Sequence, residues 1–459
     1  MSTDPYTNTT SYHRTQVEPD TFAVGNTIVS AFQSGRFQNG GASNIGWATS
    51  VNGGVKWKHG FLPGTTKFAT PAGPYDRDTD PAVAYDASHK TWMIVSLGMT
   101  DAGPDGVAIL VSRSTKGVKW GSPVAVQTVT SGQSFDKTWI VCDDDAASPF
   151  YGNCYVEWDD FGNLDQPHVS TSSDGGATWT EATVPQGIAS GGQPLVQPKT
   201  GTVIMPIANG LSAAGAIESY TSHDGGVTFE GPFTVSPITA ATVPGGMRAP
   251  DLPSAEIDGL GRVYVVWYDC RFEVNCSTND IVMSTSVDGQ TWTPPVAVPI
   301  NPPTGGTINA FDPGIGVDQT TSGPSAVLGV TYYYFPNTAC GSTCQLDVGF
   351  ISSTNAGLSW GTPTPLAGPI TPSWLPNTSQ GFMMGDYLST SFLAGKARTV
   401  FASAKAGTCQ LGQVTTCKEF MVSPTAGLSA LGGRTPVRSA VRYRGPGTAH
   451  RIGGLLLLR

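Results

Sequence analysis

A short segment recurs along this chain and constrains its fold more than any other feature. We call it the box. It consists of a serine, an Asp or Asn two positions after the serine, a Gly two positions after that, and an aromatic residue three positions after the Gly. Complete copies span 50–57, 172–179, 222–229 and 353–360. A fifth copy, 286–292, is one residue shorter, and 114–120 and 423–427 are degenerate. Seven copies spaced by roughly a propeller-blade length indicate a repeat protein.

The chemistry of the box predicts a hairpin turn. The Asp or Asn side chain accepts hydrogen bonds from the backbone of its own turn, and glycine supplies a positive φ. A β-branched strand precedes each box, and 57 Gly and 35 Pro with only 13% charged residues suit many short strands. We therefore predict an all-β fold, a seven-bladed β-propeller of four-stranded antiparallel blades. We also predict that all boxes lie on one face of the propeller. Residues 1–432 form this domain, and the tail 433–459 completes or packs on the last blade.

The cysteines indicate an oxidising compartment. Eight cysteines fall into four close pairs: Cys142/Cys154, Cys270/Cys276, Cys340/Cys344 and Cys409/Cys417. An even count in neighbouring pairs is typical of disulfides that staple hairpins in secreted proteins. Zinc is disfavoured because no CxxC occurs and the six His are scattered. We predict four local disulfides and a secreted protein.

Charge and hydropathy exclude some partners. The net charge is -9, which argues against nucleic acid or an anionic membrane surface as the main partner. No apolar stretch approaches the length of a membrane span. Met1 leads directly into polar residues, which we interpret as an expression start in place of a removed leader.

The boxes resemble the bacterial neuraminidase repeat, also called the Asp-box repeat, and the chain resembles the sialidase superfamily of propellers. The stretches 136–139 and 267–271 are similar to secreted bacterial proteins described as exo-α-sialidases. The resemblance implies an arginine cluster for a substrate carboxylate, a Tyr/Glu nucleophile pair and an Asp acid/base. The family's Phe/Tyr-Arg-Ile-Pro motif is absent here. Sialidases have six blades, so a six-bladed fold is the alternative.

Propeller geometry predicts where a site would lie. The first strand of each blade starts, and the second strand ends, at the mouth of the channel far from the boxes. First-strand starts carry acidic residues, with Gln193 in one blade: Asp20, Asp80, Asp136, Asp251, Asp312 and Asp386. Such residues either cap strands, keep a proton for acid catalysis, or hold Ca²⁺. We expect no required cofactor, with structural or channel-bound Ca²⁺ as an alternative.

The predicted catalytic residues are Asp80 or Asp251 as acid/base and Tyr387 as nucleophile. The predicted substrate-binding residues lie at second-strand ends or next to first-strand starts: Arg36, Arg248, Trp267, Tyr268, Asp269, Arg271 and Tyr334. Arginine binds carboxylates in a bidentate fork, and aromatic rings stack on sugars. A competing interpretation makes Arg271 an ion-pair partner of Asp269 or Glu273.

The leading hypothesis is an extracellular sialidase-like exo-glycosidase acting on an acidic or decorated glycan. The same scaffold could carry β-elimination of a uronate, as in a polysaccharide lyase, with Arg neutralising the carboxylate. A non-catalytic propeller that binds glycans or proteins is the third alternative. A fold of this kind does not decide between them.

Overall fold

The computed structural model describes residues 4–101, 105–210, 215–302, 306–431 and 435–436. Antiparallel β-strands dominate these residues, and the helical segments among them are five short 3₁₀ turns. These turns are Phe161–Asn163, Val274–Cys276, Gly323–Ser325, Gly341–Thr343 and Pro372–Trp374. The many glycines and prolines fit this pattern, because short strands need frequent turns.

The first twelve strands form one sheet made of three runs of four strands. The first run is β1 (Gln16–Val24), β2 (Thr27–Arg36), β3 (Ala42–Ser50) and β4 (Lys58–Phe61). The second is β5 (Arg77–Asp86), β6 (Thr91–Met99), β7 (Gly106–Ser114) and β8 (Val124–Thr128). The third is β9 (Phe135–Cys142), β10 (Cys154–Asp160), β11 (Gln166–Ser172) and β12 (Thr180–Glu181). Neighbouring runs are joined through single residue pairs, Ala42 with Asp78 and Gly106 with Phe135.

Three separate four-stranded antiparallel sheets follow. The first is β13 (Leu195–Val196), β14 (Val203–Asn209), β15 (Ala216–Ser222) and β16 (Glu230–Pro237). The next is β17 (Ser254–Ile257), β18 (Val263–Asp269), β19 (Asp280–Ser286) and β20 (Val296–Ala297). The third is β21 (Asn309–Val317), β22 (Leu328–Phe335), β23 (Leu346–Ser353) and β25 (Thr364–Ile370).

The last sheet has β28 (Ser389–Leu393), β29 (Lys396–Ala404), β30 (Glu419–Val422) and β31 (Leu428–Ser429). Both β30 and β31 pair with β29, on either side of the degenerate box 423–427. Two small pairings complete the strands: β24 (Ser359–Trp360) with β32 (Thr435–Pro436), and β26 (Asn377–Thr378) with β27 (Gly381–Phe382). Apart from β32, the predicted tail 433–459 lies outside the described residues.

The first strands of these groups pack side by side. They contact one another in the order β1, β5, β9, β13, β17, β21 and β28, and β28 in turn contacts β1. The backbone N–H of Thr21 in β1 donates to the hydroxyl of Ser389 in β28 at 3.0 Å. The all-β fold with four-stranded antiparallel sheets is thus confirmed, whereas the blade number stays a prediction.

Each box closes the turn that follows a third strand. In 172–179 the Asp174 carboxylate accepts the N–H groups of Ala177 and Thr178, both at 2.9 Å. The hydroxyl of Ser172 accepts the N–H of Gly176, which has a φ of 77°. The indole N–H of Trp179 donates to the Gly176 carbonyl. Because these bonds all lie within one turn, the local sequence is enough to specify it.

Four disulfides join the predicted neighbours, Cys142 to Cys154, Cys270 to Cys276, Cys340 to Cys344 and Cys409 to Cys417. The prediction of four local bridges is therefore confirmed. Among the described residues, no helix has the length and apolar character needed to cross a membrane.

Candidate functional site

Four first strands contain a charged residue with left-handed backbone next to a shift in strand pairing. Glu18, Asp80 and Asp312 have φ values of 54°, 47° and 43°, and each precedes a proline. The pairing register shifts next to each of them. Lys137 has a φ of 39° at a similar register shift between β9 and β10. Left-handed backbone at a non-glycine residue costs about 1–3 kcal/mol and concentrates at functional sites. These bulges therefore mark the first strands as a candidate functional region.

Eight charged residues near the first-strand starts form what we call the charged cluster. Its members are Glu18, Arg36, Asp80, Asp136, Lys137, Arg248, Asp312 and Asp386. Six of them are at most 5% exposed, while Asp136 and Arg248 are partly buried. Burial at this depth makes each unpaired charge expensive, so the partners of each group determine the chemistry.

Asp386 is the centre of the cluster. Its Oδ1 accepts from Arg248 Nε at 2.5 Å, and its Oδ2 accepts from Arg248 Nη2 and from Lys137 Nζ, the latter at 2.6 Å. Lys137 Nζ also lies 3.9 Å from Asp80 Oδ1. Burial would raise the pKa of Asp386, but the charges and hydrogen bonds of Arg248 and Lys137 outweigh burial and hold this pKa far below its usual range. Asp386 is therefore ionised at neutral pH.

The pKa values of three other carboxyls in the cluster are shifted upward. Burial, assisted by the charges of Asp386 and Asp80, raises the pKa of Glu18 to about 8. Burial and the Asp386 charge hold the pKa of Asp312 well above its usual range. Burial raises the pKa of Asp136 to about 6. Glu18 therefore keeps a proton at neutral pH beside an ionised Asp386, and burial favours the protonated form of Asp312.

The hydrogen bonds of the cluster are unevenly distributed. Gln33 Nε2 donates to Glu18 and, at 2.7 Å, to the hydroxyl of Thr79. Gln33 Oε1 accepts from Arg36 Nη1 at 2.9 Å. In contrast, both carboxyl oxygens of Asp312 and the Oδ2 of Asp80 are buried without a hydrogen-bond partner. Buried polar atoms of this kind call for a partner that the protein itself does not provide.

The structure brings several predicted site residues to this cluster. Arg36, Asp80 and Arg248 are members of it. The charge of Asp386 acts on the hydroxyls of both Tyr268 and Tyr387. Asp251 lies beside Tyr268, and burial raises the pKa of its carboxyl.

Two contacts hold the Tyr387 side chain in place. Its hydroxyl donates to the Pro81 carbonyl at 3.0 Å, and its ring meets Trp139 edge-on at 5.3 Å. Burial holds the pKa of this hydroxyl well above its usual range. This environment disfavours the phenolate that the predicted nucleophile role would need.

The remaining predicted residues form two separate groups. Asp269 is fully buried and accepts from Arg271 Nε at 2.9 Å, from Arg271 Nη2 at 2.6 Å and from the Trp267 indole at 3.2 Å. Arg271 also donates to Ser236 at 2.8 Å and to the Pro237 carbonyl.

Tyr334 forms the other group. Its ring packs on Tyr332 at 5.7 Å. Burial and the charge of Asp347 raise the pKa of its hydroxyl to about 12.

Two loops pair beside the cluster. One joins β16 to β17 and carries Arg248; the other joins β25 to β28 and carries Asp386. The N–H of Arg248 donates to the Phe382 carbonyl at 2.8 Å, and the N–H of Phe382 donates to the Gly246 carbonyl at 2.9 Å. The two hydrogen bonds therefore fix the loops that present the central ion pair.

Two cavities adjoin the first strands. A cavity of about 20 Å³ touches Asp80, Lys137 and Tyr387. A larger cavity of about 400 Å³ lies toward the opposite ends of the first strands, and Trp139 and Gln193 line both cavities. The small cavity has room for about one water molecule, so a sugar does not fit against Asp80 and Lys137 in this conformation.

No group of three or more His, Cys, Asp or Glu side chains is placed to hold a metal ion within the described ranges. The expectation that no cofactor is required, with calcium as the alternative, stays a prediction.

Two members of the cluster were missed as functional candidates, Glu18 and Lys137. A sequence signal for Glu18 exists, because an acidic or amide residue followed by proline recurs at 18–19, 80–81, 193–194 and 312–313. Lys137 lacks that signal, and its contact with Asp386 spans 249 positions. That contact follows from the packing of first strands and not from a local pattern.

Comparison with known proteins identifies the fold. No family model matches the sequence, and no curated protein matches it. Among solved structures, a polysaccharide lyase described as an ulvan lyase has a TM-score of 0.52 at 10% identity, covering 94% of this chain and 98% of its own. The phage phi92 endosialidase has a TM-score of 0.51 at 11% identity, covering 98% of this chain and 71% of its own. The chain resembles the sialidase-like propellers in fold.

A Trypanosoma rangeli sialidase also matches, with a TM-score of 0.45 at 15% identity, over 74% of this chain and 55% of its own. At such identities the similarity concerns the fold, and function has to be argued from the site.

Proposed function

We propose that this protein is a secreted glycoside hydrolase of sialidase-like type whose active centre is the charged cluster. The observation that carries this proposal is the unequal partnering of two nearby buried carboxyls: Asp386 is bound by Arg248 and Lys137, whereas neither oxygen of Asp312 has a partner. This environment favours the ionised form of Asp386 and the protonated form of Asp312. Glycosidases need such a pair, because one carboxyl donates a proton to the leaving oxygen while negative charge stabilises the sugar cation.

In this proposal Asp312 is the general acid. Its carboxyl oxygens have no protein partner, so its proton is available to the glycosidic oxygen. Asp386 supplies negative charge beside the oxocarbenium-like centre, and Arg248 and Lys137 hold it in place. Asp251, whose carboxyl pKa is also raised by burial, is the alternative proton donor.

Substrate access to Asp80 and Lys137 requires a change of this conformation, because the cavity beside them is too small for a sugar. The two loops next to the cluster are linked by the Arg248–Phe382 and Phe382–Gly246 hydrogen bonds. Both loops contain glycines with positive φ, at Gly245, Gly246, Gly381 and Gly385. Glycines of this kind accommodate hinge motion. We propose that the two linked loops move together, so that the cluster opens to a sugar while the Arg248–Asp386 pair stays intact.

The blade number and the location in the cell belong to this proposal. Seven groups of strands whose first strands contact one another in a closed order support seven blades. Four disulfides support an oxidising, extracellular setting.

A screen of glycans and chromogenic glycosides tests the proposed activity. We expect release of new reducing ends by the wild type and at least about a hundredfold lower turnover for Asp312→Asn, since general acid catalysis contributes about 10²–10⁴-fold. Asp347→Asn is the matched control, because Asp347 is a partly buried carboxyl that interacts with Tyr334 outside the cluster. Equal turnover in both variants would contradict the assignment.

β-Elimination is the second candidate, since Lys137 and the buried Tyr387 line the same small cavity and Arg248 pairs with Asp386, whose charge acts on the Tyr387 hydroxyl. A lyase would give an unsaturated uronate product that absorbs in the ultraviolet. Retained glycan binding without any product would instead favour the non-catalytic propeller.

A further inference from the structure

The charge balance of the cluster bears on which sugar it accepts. Formal charges give five carboxyls, Glu18, Asp80, Asp136, Asp312 and Asp386, against three cations, Arg36, Lys137 and Arg248. If Glu18 and Asp312 both keep their protons, three carboxylates still face three cations. In neither protonation state does the cluster have the net positive charge that a buried acidic ligand requires.

Most hydrogen bonds that these cations donate go to protein acceptors, and Arg36 Nε alone is buried without one. Arg248 Nε and Nη2 both donate to Asp386, and Lys137 Nζ donates to the same carboxylate at 2.6 Å. Arg36 Nη1 donates to Gln33 at 2.9 Å and to the Gly41 carbonyl at 3.5 Å. A substrate carboxylate bound by Arg248 would have to displace Asp386 from the bidentate pair and leave that residue buried without this partner.

The unsatisfied atoms of the cluster are three carboxyl oxygens and one nitrogen, Arg36 Nε. Asp312 is 3% exposed and neither of its carboxyl oxygens has a partner, and Asp80, equally buried, has an unpartnered Oδ2. Unprotonated carboxyl oxygens accept hydrogen bonds, whereas a protonated Asp312 and Arg36 Nε donate them. A sugar hydroxyl can both donate and accept, but a carboxylate can only accept. The vacant polar positions therefore suit hydroxyl groups better than a carboxylate.

We infer that the glycosyl unit bound at the charged cluster is uncharged, a neutral sugar recognised through its hydroxyls by Asp312 and Asp80. This inference rests on the proposed function and replaces the expectation of an acidic glycan. That expectation required arginines that are free to bind a substrate carboxylate. Arg248 is instead paired with Asp386, and Arg271 is paired with Asp269, outside the cluster.

The first experiment compares neutral and acidic ligands on the full chain. Binding of neutral methyl glycosides and of N-acetylneuraminic acid and glucuronic acid is measured by calorimetry, alongside turnover of the corresponding chromogenic glycosides. We expect binding and turnover with a neutral sugar only. Tighter binding of an acidic sugar, lost in Arg248→Met, would overturn the inference and leave the hydrolase proposal standing. Neutral-sugar binding without turnover would support the inference and defeat the hydrolase proposal.

The second experiment removes the carboxylate that pairs with two cations of the cluster. Asp386→Asn removes the carboxylate that occupies Arg248 and Lys137, so we expect affinity for glucuronic acid to rise at least about tenfold over wild type, or 1.4 kcal/mol. Asp269→Asn is the matched control, because it frees Arg271 outside the cluster; it should bring no such gain. If Asp386→Asn misfolds by circular dichroism, Asp386→Asn with Lys137→Met keeps one free cation for the same measurement. No gain in either folded variant, or a gain in the control alone, would overturn the inference.

Discussion

The carboxylate of Asp386 binds Arg248 through both of its oxygens, although 138 positions separate the two residues in the sequence. Lys137, from a third group of strands, donates to the same carboxylate. Residues from three distant parts of the chain thus share one buried ionic centre. Such a centre requires all three strand groups to be packed, so its properties report on the whole fold.

Removal of the central carboxylate should destabilise the protein. Asp386→Asn leaves Arg248 and Lys137 buried without their partner, so we expect the free energy of unfolding to fall by about 3–5 kcal/mol. Chemical denaturation at neutral pH measures this loss. Asp76→Asn is the control, because Asp76 pairs with Lys67 in an exposed setting and such pairs contribute about 0–1 kcal/mol. Equal losses in the two variants would show that the buried pair has no special role.

Asp20 should make stability depend on pH. Burial raises the pKa of this carboxyl from 3.8 to about 7. The folded state therefore binds its proton more tightly, and this contribution is present below pH 3.8 and lost as the pH rises through 7. Between about pH 4 and pH 8, the wild type should lose about 2–4 kcal/mol more unfolding free energy than Asp20→Asn.

The control for that series is Asp105→Asn, at an exposed carboxyl. Its unfolding free energy should follow the wild-type pH profile. An Asp20→Asn profile with the same slope as wild type would show that Asp20 titrates alike in the folded and unfolded states.

Arg271 was predicted to bind substrate, with an ion pair to Asp269 as the alternative. The structure favours the ion pair, because Arg271 makes two hydrogen bonds to a fully buried Asp269. We expect Arg271→Ala to lose about 3 kcal/mol of unfolding free energy while turnover per folded molecule is retained. Adding Asp269→Asn should restore part of that stability. A sharp loss of turnover at an unchanged melting temperature would instead place Arg271 in the binding site.

The boxes should be structural. Asp174→Ala removes the acceptor for two backbone N–H groups of its own turn, so we expect a loss of about 1–2 kcal/mol in unfolding free energy. Turnover per folded molecule should equal that of wild type. Asp174→Asn keeps an acceptor oxygen and should lie close to wild type in thermal denaturation. Lost turnover at full stability would assign the box a functional role.

What the sequence determined by itself is local. The box turns and the four disulfides form between residues a few positions apart, so spacing and residue type were enough to predict them. The acidic first-strand starts were also visible, and among them Asp80, Asp312 and Asp386 do come together. The all-β fold followed from repetition of one turn, because a repeated turn requires a repeated strand unit.

Which of those acids is ionised was decided only by the tertiary structure. Asp312 and Asp386 look alike in sequence, each near the start of a first strand. Packing places Arg248 and Lys137 against Asp386 and leaves Asp312 without a partner. Burial weakens screening by water, so these few long-range contacts shift the pKa values of two identical side chains in opposite directions. No local pattern could specify contacts that exist only after the strand groups have packed together.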